Sequence, residues 1–504
     1  MRRLVLGTVL AGAILVPVAS AHAGSPAQPE PVRLRVAVFN IEYGGTHVSF
    51  DKVVSAIERS HADVVGIEEA QTHIPRLARA LGWPYFSTRM QVVSQLPLID
   101  PPGGDGIYLY VELAPGEVVA IENVHLPSNP YGPFRVKQGE SRKEVVDLER
   151  RVRLPAIRPS LHAEKDLQAE GIPVFLVGDF NSPSWRDWTK EMVGVRYQIR
   201  YPVKWPVSRA VERAGFVDSY RAIYPDPKKH PGLTWWAARP TLFGGYPCHC
   251  APQDRIDLVY ATPEAAPTKS LIVGERDSPL ADVGVHPWPS DHRMVVSSFQ
   301  VAPAAPPNFV AVDEKDRLVD VGEKVNVTFH SPGGPGEHVA VVTAGGDPAA
   351  GTVADQPTGG GNPTDGTLAF DTDGWSTGGY EAVLLDGSGA ELSRIPFWVK
   401  EPSDGPQVWT GKPTYTVGEG IDVHWTDAPG ERWDWVGIYK RGANPHVAYY
   451  LLWAYTRNTI EGSLVLDDDD HGPWPMGAGK YSIYLLADDG YKLLAGSPFR
   501  IAKG

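Results

Sequence analysis

Five polar sites at the ends of apolar, strand-like runs constrain this chain more than any other feature. Asn40 follows Arg35–Phe39, Glu69 follows Val64–Ile67, and His125 follows Val118–Val124. Gly178-Asp179-Phe180-Asn181 closes the short run Val174–Val177, and Ser290-Asp291-His292 stands just before Met294–Val301. A buried strand needs no polar residue beyond its end for packing. One such residue alone is commonly a cap or turn former. Carboxylates, amides and imidazoles at five ends together mark one pocket at the edge of a sheet.

The runs carrying these residues alternate with helical patterns between Arg33 and about Val301. Phe50–His61 places Val53, Val54 and Ile57 at helical spacing. Ile74–Leu81 reads as a second helix, and Ser141–Glu170 is charged and helical in composition. Tyr108–Leu113 and Val118–Val124 flank Ala114-Pro115-Gly116-Glu117, a hairpin signal. Strands mixed with helices and hairpins predict an α/β sandwich rather than a purely parallel sheet.

Residues 303–308 read as a linker, Pro- and Ala-rich, after a catalytic unit over 33–302. A chain ending near Val301 is expected to fold and to turn over a small ester. Beyond the linker the texture changes to Gly, Thr, Asp and Trp with short alternating runs, and it repeats. Val321-Gly322-Glu323-Lys324-Val325-Asn326-Val327 matches Val417-Gly418-Glu419-Gly420-Ile421-Asp422-Val423. Gly379–Gly387 matches Gly479–Gly490 with a small insertion. Two all-β sandwich modules, 309–401 and 406–504, are expected.

A length of 504 residues gives room for several domains with ample core. Arg2 and Arg3, the apolar run Leu4–Val18 and Ala21-His22-Ala23 have the plan of a secretory signal over residues 1–23, cut near Ala23-Gly24. That run falls short of the roughly 20 residues of a membrane span, and no later run is long enough. A secreted chain with a Pro-rich leader at 24–32 is expected; an uncleaved anchor is the alternative. Cys248 and Cys250 lie too close in sequence for an unstrained bridge, so the core is expected to carry stability. The net charge is −13, and nearly all of it falls in the rear half. An acidic rear half argues against gripping nucleic acid or an anionic membrane.

Phosphoester hydrolysis needs an oxygen-liganded cation, an aligned water and a stabilised leaving oxygen. The five sites supply such groups. Glu69 can hold Mg²⁺, or alternatively Mn²⁺ or Ca²⁺, with Asn40 supporting the ion or a phosphate oxygen. Asp179 can orient and deprotonate water, and Asn181 can touch the phosphate. His292 can stabilise charge on phosphorus or the leaving group, with Asp257 fixing its other ring nitrogen. Asp291 is available to the metal or water, and His125 is a second phosphate donor. Glu42 is either a second metal position or a solvated loop carboxylate. Thr234-Trp235-Trp236 is either groove lining or core, and Asp467–Asp470 reads as a solvated turn rather than a calcium loop.

These segments resemble the endonuclease/exonuclease/phosphatase superfamily, the deoxyribonuclease-I-like fold. The matching segments are Val38–Glu42, Asp63–Glu69, Asn123–His125, Gly178–Asn181, Arg255–Asp257 and Ser290–His292. The resemblance implies a four-layered α/β sandwich, a divalent cation and cleavage of phosphodiesters or phosphomonoesters. It places Asn40, Glu69, His125, Asp179, Asn181, Asp257, Asp291 and His292 on family site positions. One departure stands out: Glu68 occupies the place of the usual Gln. On an extended chain Glu68 and Glu69 face opposite sides, and Glu69 is the expected ligand with Glu68 as the fallback. The C-terminal repeats loosely resemble SKICH or Ig-like modules, which implies attachment to a surface, glycan or protein.

The expected activity is that of a monomeric secreted phosphodiesterase acting on nucleic acid, phospholipid or a small molecule. A phosphomonoesterase is the next reading. An inactive scaffold whose β-modules serve adhesion or carbohydrate binding is the alternative from another class.

Overall fold

Val32–Asn40 begins exposed and becomes continuously buried from Val36 onward, without the alternation of a one-sided strand. Burial on both faces is the cause. In this computed structural model, which describes residues 30–237, 252–359, 365–467 and 472–503, that strand lies near the centre of a seven-stranded sheet. The strand order is Val283–Val285, Ala265–Glu275, Met294–Val301, Val32–Asn40, Val64–Glu68, Val92–Ser94, Tyr85–Ser87. A second, six-stranded sheet faces it, in the order Leu98–Ile99, Leu109–Ala114, Glu117–His125, Val174–Asp179, Asp257–Ala261, Val217–Asp218.

Leu34, Val36 and Val38 pack against Ile121, Phe175, Val177 and Val259 between the sheets. Helices Phe50–Ser60 and Ile74–Leu81 cover the outer face of the first sheet through Ile57 and Leu77. Helices Arg142–Ala169 and Pro206–Arg213 cover the second through Ile157 and Val211. The result is the expected four-layered α/β sandwich. Ser141 caps the long helix with a full capping box to Glu144. No helix among the described residues is long and apolar enough to cross a membrane. The expected signal segment, Cys248, Cys250 and Asp468–Asp470 lie outside the described residues.

Register decides what the sandwich presents at its mouth. Val32–Asn40 runs parallel to Val64–Glu68 with Asn40 opposite Glu68. In the second sheet His125 lies opposite Asp179 in a parallel pair, and Asp257 lies opposite Asp179 in an antiparallel one. Three strands thus deliver His125, Asp179 and Asp257 in one row.

The chain beyond Asn308 repeats one topology twice. Three-stranded Phe309–Val312, Lys324–His330, Asp365–Asp371 faces five strands headed by the parallel pair Leu318–Asp320 and Glu391–Lys400. Gln407–Thr410, Ile421–Thr426, Gly462–Leu466 faces another five, headed by the parallel pair Thr414–Thr416 and Lys492–Ala502.

The segment read as a linker pairs with the sandwich. Ala304 and Val118 exchange backbone hydrogen bonds of 2.8 and 3.0 Å at the strand Glu117–His125. A composition of Pro and Ala removes donors but leaves Ala304 free to pair. Further contacts bind both modules to the sandwich. Glu314 accepts from Ser87 Oγ and from the Thr88 and Arg89 amides at 2.6, 2.9 and 3.1 Å. Asp488 accepts from the Thr72 amide at 2.8 Å and from Gln91 Nε2. Arg432 donates to the Asn123 carbonyl, and its amide to the Arg89 carbonyl. These contacts give the tail a structural share in the sandwich.

Glu122, on Glu117–His125, and Glu164, on the long helix, are both buried, and burial pushes both carboxyls up. The folded chain then keeps these protons after the unfolded chain, titrating near the ordinary value of about 4.3, has released them. Stability is therefore lost as pH rises from that value toward the folded pKa. Glu122→Gln is expected to reduce this loss by up to about 1.4 kcal/mol per pH unit, measured by urea unfolding between pH 5 and pH 8. An unchanged pH slope would show that Glu122 is ionised in the fold.

Candidate active site

The two rows of strand ends converge. Asn40, buried at the end of its strand, turns its amide nitrogen to Asp179 Oδ2 at 3.2 Å and to Glu69 Oε1 at 3.3 Å. Its oxygen accepts from the Glu42 amide at 3.1 Å, which fixes the orientation of the amide group. Asn40 therefore bridges two carboxylates as a donor. Its oxygen keeps a second lone pair beside the bond from Glu42.

Asp179 is the hub. Its Oδ1 accepts from the Asn181 amide at 2.8 Å. Nε2 of His125 and Nε2 of His292 both lie 3.7 Å from its Oδ2. Asn181 takes φ 46°, and its side-chain nitrogen donates to the Leu126 carbonyl at 3.0 Å. Asn tolerates this left-handed turn better than most residues. His292 Nδ1 reaches both Asp257 oxygens at 3.0 and 3.1 Å, as expected of an imidazole held in one orientation. Asp257 itself is fully buried, and Thr234 Oγ1 accepts from its amide. Arg255, two residues earlier, is locked by Asp218 and Asp187 at 2.7–3.0 Å, which anchors the start of that strand.

Glu69 and Glu68 both come to the mouth. The strand ends at Glu68, and Glu69 takes φ 57°, so the alternation of an extended chain does not apply between them. Glu69 accepts from Asn40 and from the Tyr43 amide, the latter at 3.2 Å. Glu68 is fully buried, and burial, with Asp257 and Asp179 nearby, pushes its carboxyl well up. Glu42 is buried rather than a solvated loop residue, and accepts from the Asp291 amide at 3.2 Å. Asp291 Oδ2 accepts from Trp235 Nε1 at 3.2 Å, which puts Trp235 at the site rather than in the core.

Sequence reasoning missed one residue entirely. Asp489, from the second β-module, meets His125 Nδ1 at 3.2 Å and is itself held by the Tyr455 hydroxyl at 3.0 Å. It sits in the turn Asp488-Asp489-Gly490, where both aspartates have positive φ, a conformation suited to Asp and Gly. The available signal was the insertion in Gly479–Gly490 relative to its sister repeat.

Burial opposes charge on both imidazoles, but the carboxylates overcome it. His125 is pushed up to about 10 by Asp489, Asp179 and Glu69. His292 is pushed well up by Asp257, Asp179 and Asp291. Burial also raises Glu69 and Asp179.

A family model for the endonuclease/exonuclease/phosphatase family matches residues 37–292, the span that carries this site. The chain belongs to that family. Similarity extends to an uncharacterized protein of Caenorhabditis elegans, 24% identical over 295 residues that make up 53% of this chain and 91% of that one. Among solved structures, an endonuclease/exonuclease/phosphatase from Beutenbergia cavernae is 17% identical, covers 73% of this chain and 99% of its own, and has a TM-score of 0.31. An AP endonuclease from Archaeoglobus fulgidus is 15% identical, covers 53% and 100%, and has a TM-score of 0.34.

Members of the family are usually metal-dependent phosphoester hydrolases, and the donor set here suits a divalent cation. Glu42, Glu69, Asp179, Asp257 and Asp291 crowd one mouth, where the neighbouring positive groups are imidazoles. Asp179, Asp257 and His292 offer ligand atoms within 4.8 Å of one another. In that cluster His292 Nδ1 is already committed to Asp257.

Asp257 is expected to hold His292 charged. Asp257→Asn is expected to lower the His292 pKa, read from imidazole carbon-bound proton shifts in a histidine-labelled chain. An unmoved titration would remove Asp257 from that role.

Proposed function

We propose that this chain is a secreted, divalent-cation-dependent phosphodiesterase. The observation that carries the reading is the convergence of His125 and His292 on one Asp179 oxygen, with Glu69 joined to the same group through Asn40. Glu69 and Asp291 would hold the cation, whose chemistry is to neutralise phosphate charge. A hard ion such as Mg²⁺ prefers those oxygens to a set that includes an imidazole. Asp179 orients a water and takes its proton as the water oxygen bonds to phosphorus. The bond from phosphorus to the leaving oxygen breaks, and His292 returns a proton to that oxygen. His125, held by Asp489, donates to a non-bridging oxygen, and Asn181 keeps Asp179 in place.

A diester carries one negative charge at the reacting phosphate, whereas a monoester carries nearly two. A mouth this rich in carboxylates favours the diester. The scaffold reading has less support, because all eight expected site positions hold polar groups that meet. Secretion rests on the N-terminal sequence pattern.

Hydrolysis of bis-4-nitrophenyl phosphate is expected to proceed with Mg²⁺ or Mn²⁺ and to stop with EDTA. Asp179→Ala and His292→Ala are each expected to lower the rate at least a hundredfold, about 2.7 kcal/mol of barrier. Near-wild-type turnover in either variant refutes its assigned role. Calorimetry with Mg²⁺ or Mn²⁺ locates the ion: Glu69→Gln is expected to weaken binding at least tenfold and Asp257→Asn to keep it. The reverse pattern would move the ion to the Asp179, Asp257 and His292 cluster.

A further inference from the structure

A cleft of ≈ 510 Å³ opens where the second β-module meets the sandwich. One wall is Tyr43, Gln71 and His73; the other comes from the segment around Tyr449 and the turn leading to Tyr491. The cleft adjoins the catalytic mouth. Tyr43 donates its amide to Glu69, and its phenol is pushed up by burial and by Glu69, Glu42 and Asp291. On the facing wall, Gly490 follows Asp489, the partner of His125.

The lining is aromatic out of proportion to its size. Three tyrosines and the imidazoles of His73 and His446 contribute rings, with the His446 and Tyr491 centroids 6.4 Å apart. Tyr449 is 92% exposed and Tyr43 48%, so folding alone accounts for neither ring. The polar lining is equally selective. Among the described residues it holds one primary amide, Gln71, one ammonium, Lys492, and no carboxylate. A polynucleotide strand needs a track of cations along its backbone, which a single lysine does not make. A sugar presents several hydroxyl donors, and no carboxylate is there to accept them. A flat aromatic ring needs only ring faces and a few edge contacts.

We propose that this cleft binds a planar heteroaromatic group, a nucleobase, joined to the single phosphate at the catalytic mouth. The substrate class is then a mononucleotide-sized ester rather than a strand, and the second β-module supplies half of the subsite. This rests on the phosphoesterase reading for the position of the phosphate. The tyrosines act on binding and leave the chemical step to Asp179 and His292.

The test uses the full chain with Mg²⁺ and phosphinate analogues of the methyl diesters of adenosine 5′-monophosphate and of ribose 5-phosphate, in which carbon replaces both ester oxygens, so that each carries a diester's single charge and resists hydrolysis. Calorimetry is expected to show the adenosine analogue binding at least fivefold tighter, within the range of base–aromatic stacking. Tyr449→Ala and Tyr491→Ala, checked for an unchanged melting temperature, are each expected to reduce that advantage at least threefold. Should Tyr491→Ala fail to fold, the highly exposed Tyr449 carries the test alone. Equal affinity for the two analogues, no measurable binding of the adenosine analogue, or an advantage untouched by Tyr449→Ala overturns the inference. Base-dependent binding in a chain that hydrolyses no phosphoester would sustain the subsite and overturn the hydrolase reading alone.

Discussion

Carboxylates buried side by side repel one another and lose hydration, so they persist only where positive charge or hydrogen bonds meet them. The mouth of this sandwich is organised around that constraint. Asn40 spends both amide hydrogens between Glu69 and Asp179. His292 and His125 each place a ring nitrogen toward Asp179 and the opposite nitrogen against a second carboxylate. The imidazoles are thereby kept cationic by the same groups they neutralise. Remaining negative charge around Glu69, Glu42 and Asp291 is what a divalent cation would balance. Register makes the arrangement possible: with His125, Asp179 and Asp257 on adjacent strands in one row, a slip of one residue would turn the row away from the mouth.

The second consequence reaches beyond the sandwich. His125 stands at the flank of the row, and its Nδ1 partner comes from the distant Asp489. Asp488, next to it, ties the same turn to Gln91 and to Thr72, just after Glu69 in sequence. One hairpin turn of the last module thus orients a histidine of the mouth and clamps the loop that follows the Glu69 strand. A module that only attached the protein to a surface would not need a part-buried ionic contact with the mouth. Glu314 from the preceding module makes three further bonds to Ser87, Thr88 and Arg89. Together these contacts fix the tail as part of the catalytic unit's architecture.

Much of the sandwich was legible because its signals are local. Apolar runs ending in Asn40, Glu69, His125 and Asp179 report both the strand and the edge it faces, and Arg255-Ile256-Asp257 reads the same way. The repeat in the tail was visible as matched Val-Gly-Glu segments, and both modules share one strand order. What failed were inferences that depend on backbone geometry or on distant partners. Alternation between Glu68 and Glu69 presumed an extended chain, and φ 57° at Glu69 breaks it. Burial of Glu42 depends on Asp291, about 250 residues away in sequence, and nothing in its neighbourhood announces it. Proline and alanine at 303–308 mark a linker by composition, and composition alone does not reveal the backbone pair of Ala304 with Val118.

Asp489 shows how such long-range roles can still be read. Two sister repeats that share a strand order need the same hairpin between their last two strands. In the first module residues 386–390 join those strands and in the second residues 488–491 do, where Asp488-Asp489 replaces a Gly- and Ser-rich turn. Two consecutive aspartates at positive φ add no core and bring conformational cost. The turn is tied to its own module through Asp434, Tyr455 and Trp435, but its carboxylates also make contacts elsewhere. Here they lie on His125, Thr72 and Gln91, at the mouth of another sheet. Differences between internal repeats therefore point to function where their common pattern points only to fold.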